Sequence, residues 1–239
     1  MIYKIRHQSY SWGLIMAFFF YFPVGYSQRL TISKYGTPVM EKIRSYKEVV
    51  AKEPFQKMVE LKQLIPGIVY DLRYAGINNF SGRRMYPAKT NSTFMRAHAA
   101  AALAGVQQEL KQKNLGLKIY DAYRPYSVTV TFWEMIKDER YVANPSKGSG
   151  HNRGLAVDLT IINLTTGKEL DMGTGFDSFS DSAHHDFSQL PDVVLQNRKL
   201  FKEIMLAHGF QLFETEWWHY FWPNDKSYAV MDIPFKKLK

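Results

Sequence analysis

Along residues 155–162, Leu155, Val157, Leu159 and Ile161 alternate with Ala156, Asp158, Thr160 and Ile162. That period of two is the pattern of a strand with one face in a core. Leu117-Lys118-Ile119-Tyr120-Asp121-Ala122-Tyr123 alternates similarly and ends at Arg124-Pro125, where proline has no amide to give the ladder. Residues 68–74 and the aromatic-rich stretch 210–222 also read as strands, the first followed by the loop Asn78-Asn79-Phe80-Ser81-Gly82. The pattern predicts a first long helix, alanine-rich, capped by Asn91, Ser92 or Thr93 and running to about Lys113, with Asn114 and Gly116 closing it. Two more helices are expected over 127–137 and over 193–208, the latter stopped by Gly209, and residues 144–152 and 173–191 read as loops. Strands and helices mix without regular alternation, which predicts an α+β domain with a central, mostly antiparallel sheet flanked by helices.

The start of the chain departs from this pattern. Lys4, Arg6 and His7 precede an apolar run from Trp12 to Phe22, and Pro23-Val24-Gly25-Tyr26-Ser27 follows with small residues at alternate positions. This is the order of a secretory signal over residues 1–27, cleaved after Ser27, and the run is too short for a membrane span. A retained anchoring start is the alternative. Residues 28–60 carry many charges and a short helical pattern from Glu41 to Lys52, and read as a leader or peripheral helix before a main domain over 61–239. Loss of Lys4 and Arg6 lowers the formal charge from +9 to +7, because no acidic residue lies in the first 27. A basic exported protein suits anionic wall or membrane polymers. The Lys and Arg are scattered instead of gathered into a stripe, so no nucleic-acid partner is expected. With no cysteine in the chain, neither disulfides nor thiolate ligands are available.

Any metal must therefore be held by histidine and carboxylate. Of seven histidines, two stand near carboxylates in turn-plus-strand surroundings: His151 seven residues before Asp158, and His219 three residues after Glu216. Both spacings are odd, and on a flat strand odd spacing puts side chains on opposite faces. A turn at Gly154 and a bend or bulge near Trp217-Trp218 are therefore requirements of any shared site. Taken alone, either pair also fits a surface Asp158 and a His219 satisfied by a backbone carbonyl. His184-His185 reads as a pair that orders its loop, and Trp217 and Trp218 read as core residues that frame a site.

The surrounding residues carry a resemblance. Ser149-Gly150-His151-Asn152-Arg153-Gly154-Leu155-Ala156-Val157-Asp158 is similar to the Ser-x-His-x-x-Gly-x-Ala-x-Asp signature of the D-Ala-D-Ala metallopeptidases, and Glu216-Trp217-Trp218-His219-Tyr220 to their second signature. Asp121-Ala122-Tyr123-Arg124-Pro125, Asp171-Met172-Gly173-Thr174-Gly175-Phe176-Asp177 and Tyr70-Asp71-Leu72-Arg73-Tyr74-Ala75 resemble the dipeptidase branch of that family, the VanX-like enzymes. Together they span residues 68–222 in the family's order.

The resemblance implies a fold shared with D,D-carboxypeptidases and the hedgehog amino-terminal domain, and one zinc ion per chain held by His151, Asp158 and His219. It makes Glu216 the general base and Arg124 the group that polarises the scissile carbonyl. Asp177 becomes the partner of the substrate ammonium, with Ser149 and Tyr74 as further pocket positions. The expected substrate is D-Ala-D-Ala or a similar small dipeptide released in peptidoglycan turnover, and the expected location is the periplasm or outside the cell. Two alternatives remain: a carboxypeptidase or endopeptidase acting on longer wall peptides, and a zinc-binding module without catalysis, which needs neither Glu216 nor Arg124.

Overall fold

The computed structural model describes residues 30–239, so the expected signal segment lies outside the described residues. Strands β1 (Thr31–Ile32) and β2 (Pro38–Met40) and helix α1 (Ile43–Lys52) come first. Then follow β3 (Met58–Glu60), the one-turn α2 (Leu61–Leu64), β4 (Val69–Tyr70), β5 (Phe94–Arg96) and α3 (Ala97–Lys111). The middle of the chain holds β6 (Leu115–Asp121), α4 (Tyr126–Ile136), the short α5 (Gly150–Arg153) and β7 (Ala156–Asn163). Helix α6 (Asp192–Ala207), β8 (Gln211–Phe213), β9 (Glu216–Phe221), β10 (Val230–Met231) and α7 (Phe235–Leu238) complete it. None of these helices is long and apolar enough to cross a membrane.

The main sheet has five strands in the order β4-β6-β7-β9-β8, antiparallel except for the β4–β6 pair. This is the mostly antiparallel α+β arrangement expected. Val157, Leu159 and Ile161 of β7 join Leu117 and Ile119 of β6 in one buried cluster with Leu103, Val106 and Leu110 of α3 and Phe201, Ile204 and Met205 of α6. Each such side chain contributes roughly 1.5–3 kcal/mol by leaving water. The helices thus cover one face of the sheet, and Asp158, at an even position of β7, belongs to the other.

Helix α3 begins later than its pattern predicts. Phe94–Arg96 pairs antiparallel with Met58–Glu60 instead of opening the helix, a choice made by a distant partner that no local signal reveals. The segment up to residue 60 packs into a second cluster, where Tyr46 and Val49 of α1 meet Met40, Met58, Phe132 and Met231. Met58 N donates to the Tyr46 hydroxyl at 2.7 Å. Strand β2 is sandwiched between β1 and β10, parallel to the latter.

Arg96 knits these parts together. It is 1% exposed, and its guanidinium donates to the carbonyls of Arg153 (2.7 Å), Gln56 and Ala229 (3.1 Å), while its own amide donates to Gly154 O at 2.8 Å. Burial lowers its pKa to about 10. Three carbonyls spread around a planar fork suit arginine and not lysine, and one of the segments it holds, 153–154, adjoins the site described next.

Candidate active site

The turn that His151 requires is built locally. Ser149 caps α5, accepting from Asn152 N at 3.1 Å while its own amide donates to Asn152 Oδ1 at 3.0 Å. At the other end Gly154 takes φ +70°, a left-handed conformation that favours glycine. The chain reverses there, and His151 Nε2 comes to 3.4 Å from Asp158 Oδ2. His151 Nδ1 lies 2.7 Å from Ala122 O, and a carbonyl can only accept, so the proton is assigned to Nδ1 and the Nε2 lone pair is left free.

The second requirement is met in β9. One step on β8, from Leu212 to Phe213, spans the interval from Tyr220 to Glu216 on β9. That bulge lets Glu216 and His219 border the same cavity despite their odd spacing. Asp158 and His219 are paired across β7 and β9, with His219 Nδ1 at 2.9 Å from Asp158 Oδ1 and 3.3 Å from His151 Nε2. One donor atom from each of the three residues lies within 4.8 Å of the other two. Asp158 Oδ1 is buried with no hydrogen bond made to it. Lone pairs gathered this closely repel one another unless a cation lies among them, and two imidazoles with one carboxylate form a ligand set that zinc accepts. The residues present therefore fit such an ion.

Around this triad, Glu216 Oε2 is 3.7 Å from His219 Nδ1. Burial, with the Asp158 and Asp177 carboxylates nearby, pushes the Glu216 pKa well up. Arg124 turns the Nε–Nη2 edge of its fork to Asp121 Oδ2 at 2.9 and 2.8 Å and packs between the rings of Tyr74 and Phe132, 5.1 and 4.9 Å from their centroids. Its Nη2 is also 3.6 Å from Asp158 Oδ2. Burial opposes the Arg124 charge, but Asp121 and its other anionic neighbours hold its pKa above the usual value.

Asp177 sits at φ +61°, accepting from Tyr74 OH and from Phe80 N, both at 3.0 Å. Burial, with Asp158 adding, pushes it up to about 7. All eight residues singled out from the sequence line one cavity of about 380 Å³, walled also by aromatics that include Phe80, Phe132, Phe213 and Trp218. The structure gives two of them local partners: the Ser149 hydroxyl is a helix cap, and the Tyr74 hydroxyl is bonded to Asp177.

Sequence reasoning assigned no role to Asp121 or Tyr86. Asp121 is fully buried, and its Oδ1 accepts from Tyr86 OH at 2.6 Å while its Oδ2 orients Arg124. The available signal was an acidic residue three positions before an arginine that proline then locks in a turn. His185 lies behind Glu216: its amide donates to Glu214 O at 2.9 Å, and its ring interacts with the Glu216 backbone. Trp217 and Trp218 are both buried in the sheet's cluster.

Comparison with known proteins places the chain in a family. Over 179 residues the chain is 34% identical to the D-alanyl-D-alanine dipeptidase of Escherichia coli K12, covering 75% of this chain and 91% of that protein. It is 30% identical over 178 residues to the D-alanyl-D-alanine dipeptidase of Enterococcus faecalis V583, covering 67% and 88%. Among solved structures, the LdcB LD-carboxypeptidase aligns over 72% of this chain and 70% of that one, at 21% identity and a TM-score of 0.41. A family model described as D-Ala-D-Ala dipeptidase matches residues 55–237, a span that contains every residue of the cavity named above, and the chain, a peptidase, belongs to that family.

Proposed function

We propose that this protein is an exported, zinc-dependent dipeptidase that hydrolyses D-Ala-D-Ala and similar small dipeptides during peptidoglycan turnover. The observation that carries the reading is the convergence of Glu216, Arg124 and Asp177 on the cavity that holds the His151–Asp158–His219 triad. His151, Asp158 and His219 would hold a zinc ion, which would supply a Lewis acid and lower the pKa of the attacking water. Glu216 takes the proton of the attacking water and then hands it to the leaving amine. Arg124, its fork oriented by Asp121, stabilises the negative charge that develops on the carbonyl oxygen. Asp177 binds the free ammonium at the substrate's amino end, which brings the charge that this buried carboxyl lacks. The signal-like residues 1–27 support export, and cell fractionation with mass analysis tests it: processing after Ser27 leaves an exported chain starting at Gln28, an exported chain with an intact amino terminus shows a retained anchor, and uncleaved protein confined to the cytoplasm overturns export.

The activity is tested with zinc-loaded protein and three substrates: D-Ala-D-Ala, L-Ala-L-Ala and N-acetyl-D-Ala-D-Ala. The free D,D-dipeptide is expected to be cleaved with kcat/KM about 10- to 150-fold above that of the acetylated one, because losing a charged partner in a buried site costs about 1.5–3 kcal/mol. Asp177→Asn is expected to raise KM for D-Ala-D-Ala about tenfold or more with a smaller change in kcat. Equal cleavage of the acetylated substrate would replace this reading with one for longer wall peptides.

A further inference from the structure

Arg198 lies on α6, across the sheet from the cavity, and is 6% exposed. Its fork makes no ion pair within 4 Å among the described residues. Instead Nε donates to Met172 O at 2.8 Å, Nη2 to Ser182 O at 2.7 Å and Nη1 to His184 O at 3.0 Å. A buried charge spent wholly on carbonyls carries a desolvation cost that ordinary packing does not require. What the three carbonyls share is their place: Met172 precedes and Ser182 and His184 follow the stretch that carries Asp177, and together they close it into a loop.

Apart from one 3-10 turn, Asp181–Ala183, that loop has no regular structure, and Asp177 at its middle holds a left-handed backbone conformation costly to a residue with a side chain. Such a conformation persists only where the surroundings over-determine it. The neighbouring residue of α6 adds a bond, Asn197 Nδ2 to Asp171 O at 2.9 Å, and Trp217 Nε1 donates to Thr174 Oγ1 at 2.8 Å. Helix α6 itself is fixed in the core by Phe201, Ile204 and Met205, so the guanidinium stands on a rigid base.

We propose that Arg198 is a positioning residue for substrate binding: by clamping both ends of the 172–184 loop, it places Asp177 against the substrate ammonium. The proposal rests on the ammonium role assigned to Asp177 above. The zinc ligands lie on α5, β7 and β9, so the clamp acts on KM and leaves metal binding alone.

The test uses the zinc-loaded enzyme with Arg198→Met, which keeps the apolar stem, and Arg198→Lys, which keeps the charge without the fork. With Arg198→Met, KM for D-Ala-D-Ala is expected to rise about tenfold, equivalent to about 1.4 kcal/mol, with kcat within threefold and zinc content unchanged. Arg198→Lys is expected to raise KM several-fold, because one ammonium cannot span three carbonyls, and it decides the matter if the methionine variant does not fold. In an Asp177→Asn background, the same change at Arg198 should add less than twofold, since both act through one contact. Unchanged KM in the single variants overturns the proposal, as do full additivity or a loss of zinc parallel to the loss of activity. If Asp177→Asn alone leaves KM untouched, the ammonium reading fails, and amide exchange reads the clamp directly. Faster exchange over 173–181 in Arg198→Met, with β7 and β9 unchanged, upholds the clamp, and no change in that loop refutes it.

Discussion

Glu216→Gln should keep the zinc and lose the activity. The amide has nearly the shape of the carboxylate, and the three ligand residues remain, so metal content and fold are expected to match the parent. What disappears is the ability to take a proton. General acid–base catalysis contributes about 10² to 10⁴ in rate, and kcat should fall by that factor while KM changes little. Burial and the neighbouring Asp158 and Asp177 carboxylates push the Glu216 pKa up, so the ionised form that must accept the proton depends on a cation beside it to offset them. Zinc analysis and kcat, measured on the same preparation, separate the cases. Zinc lost with the activity would make Glu216 a ligand, and zinc kept with near-parental kcat would return the protein to the class of metal-binding modules.

Arg124→Lys, a replacement that keeps the charge, is expected to cost about 10² to 10³ in kcat, the range for removing one oxyanion donor. The Arg124 fork is oriented by two bonds to Asp121 and held between two rings, and a lysine ammonium can reproduce neither the planar edge nor the stacking. It would satisfy Asp121 or reach the cavity, but not both. Steady-state kinetics with circular dichroism checks the result. A variant within threefold of the parent in kcat would leave Arg124 as nothing more than the structural partner of Asp121.

The elements that place the His151–Asp158–His219 triad were legible because their determinants are local. The alternation through Val157, Leu159 and Ile161 marks β7, and the odd spacings of His151 to Asp158 and of Glu216 to His219 demanded a turn and a bulge, both present at Gly154 and in β9. Helices α4 and α6 fall within a residue of their expected bounds, set by Pro125 and Gly209 nearby. What stayed hidden depends on distant partners. The strand at 94–96 exists because 58–60 pairs with it, and local propensity alone extends the helix over it. Asp121 and Arg198 are ordinary charged residues until burial shows which atoms they hold. That Ser149 caps α5 as well as lining the cavity is likewise visible only in the fold.

The pairing of β2 with β10 also bears on the order of events as the chain matures. Val39 is registered against Val230 and Met40 against Met231, so one edge of β2 has no partner until nearly the whole chain is present. Contacts of such separation form late and slow the approach to the native state. Until then the segment 38–40 presents an open edge that invites association with other chains. The small sheet that joins the two ends of the described chain is therefore completed only when the carboxy-terminal strand arrives.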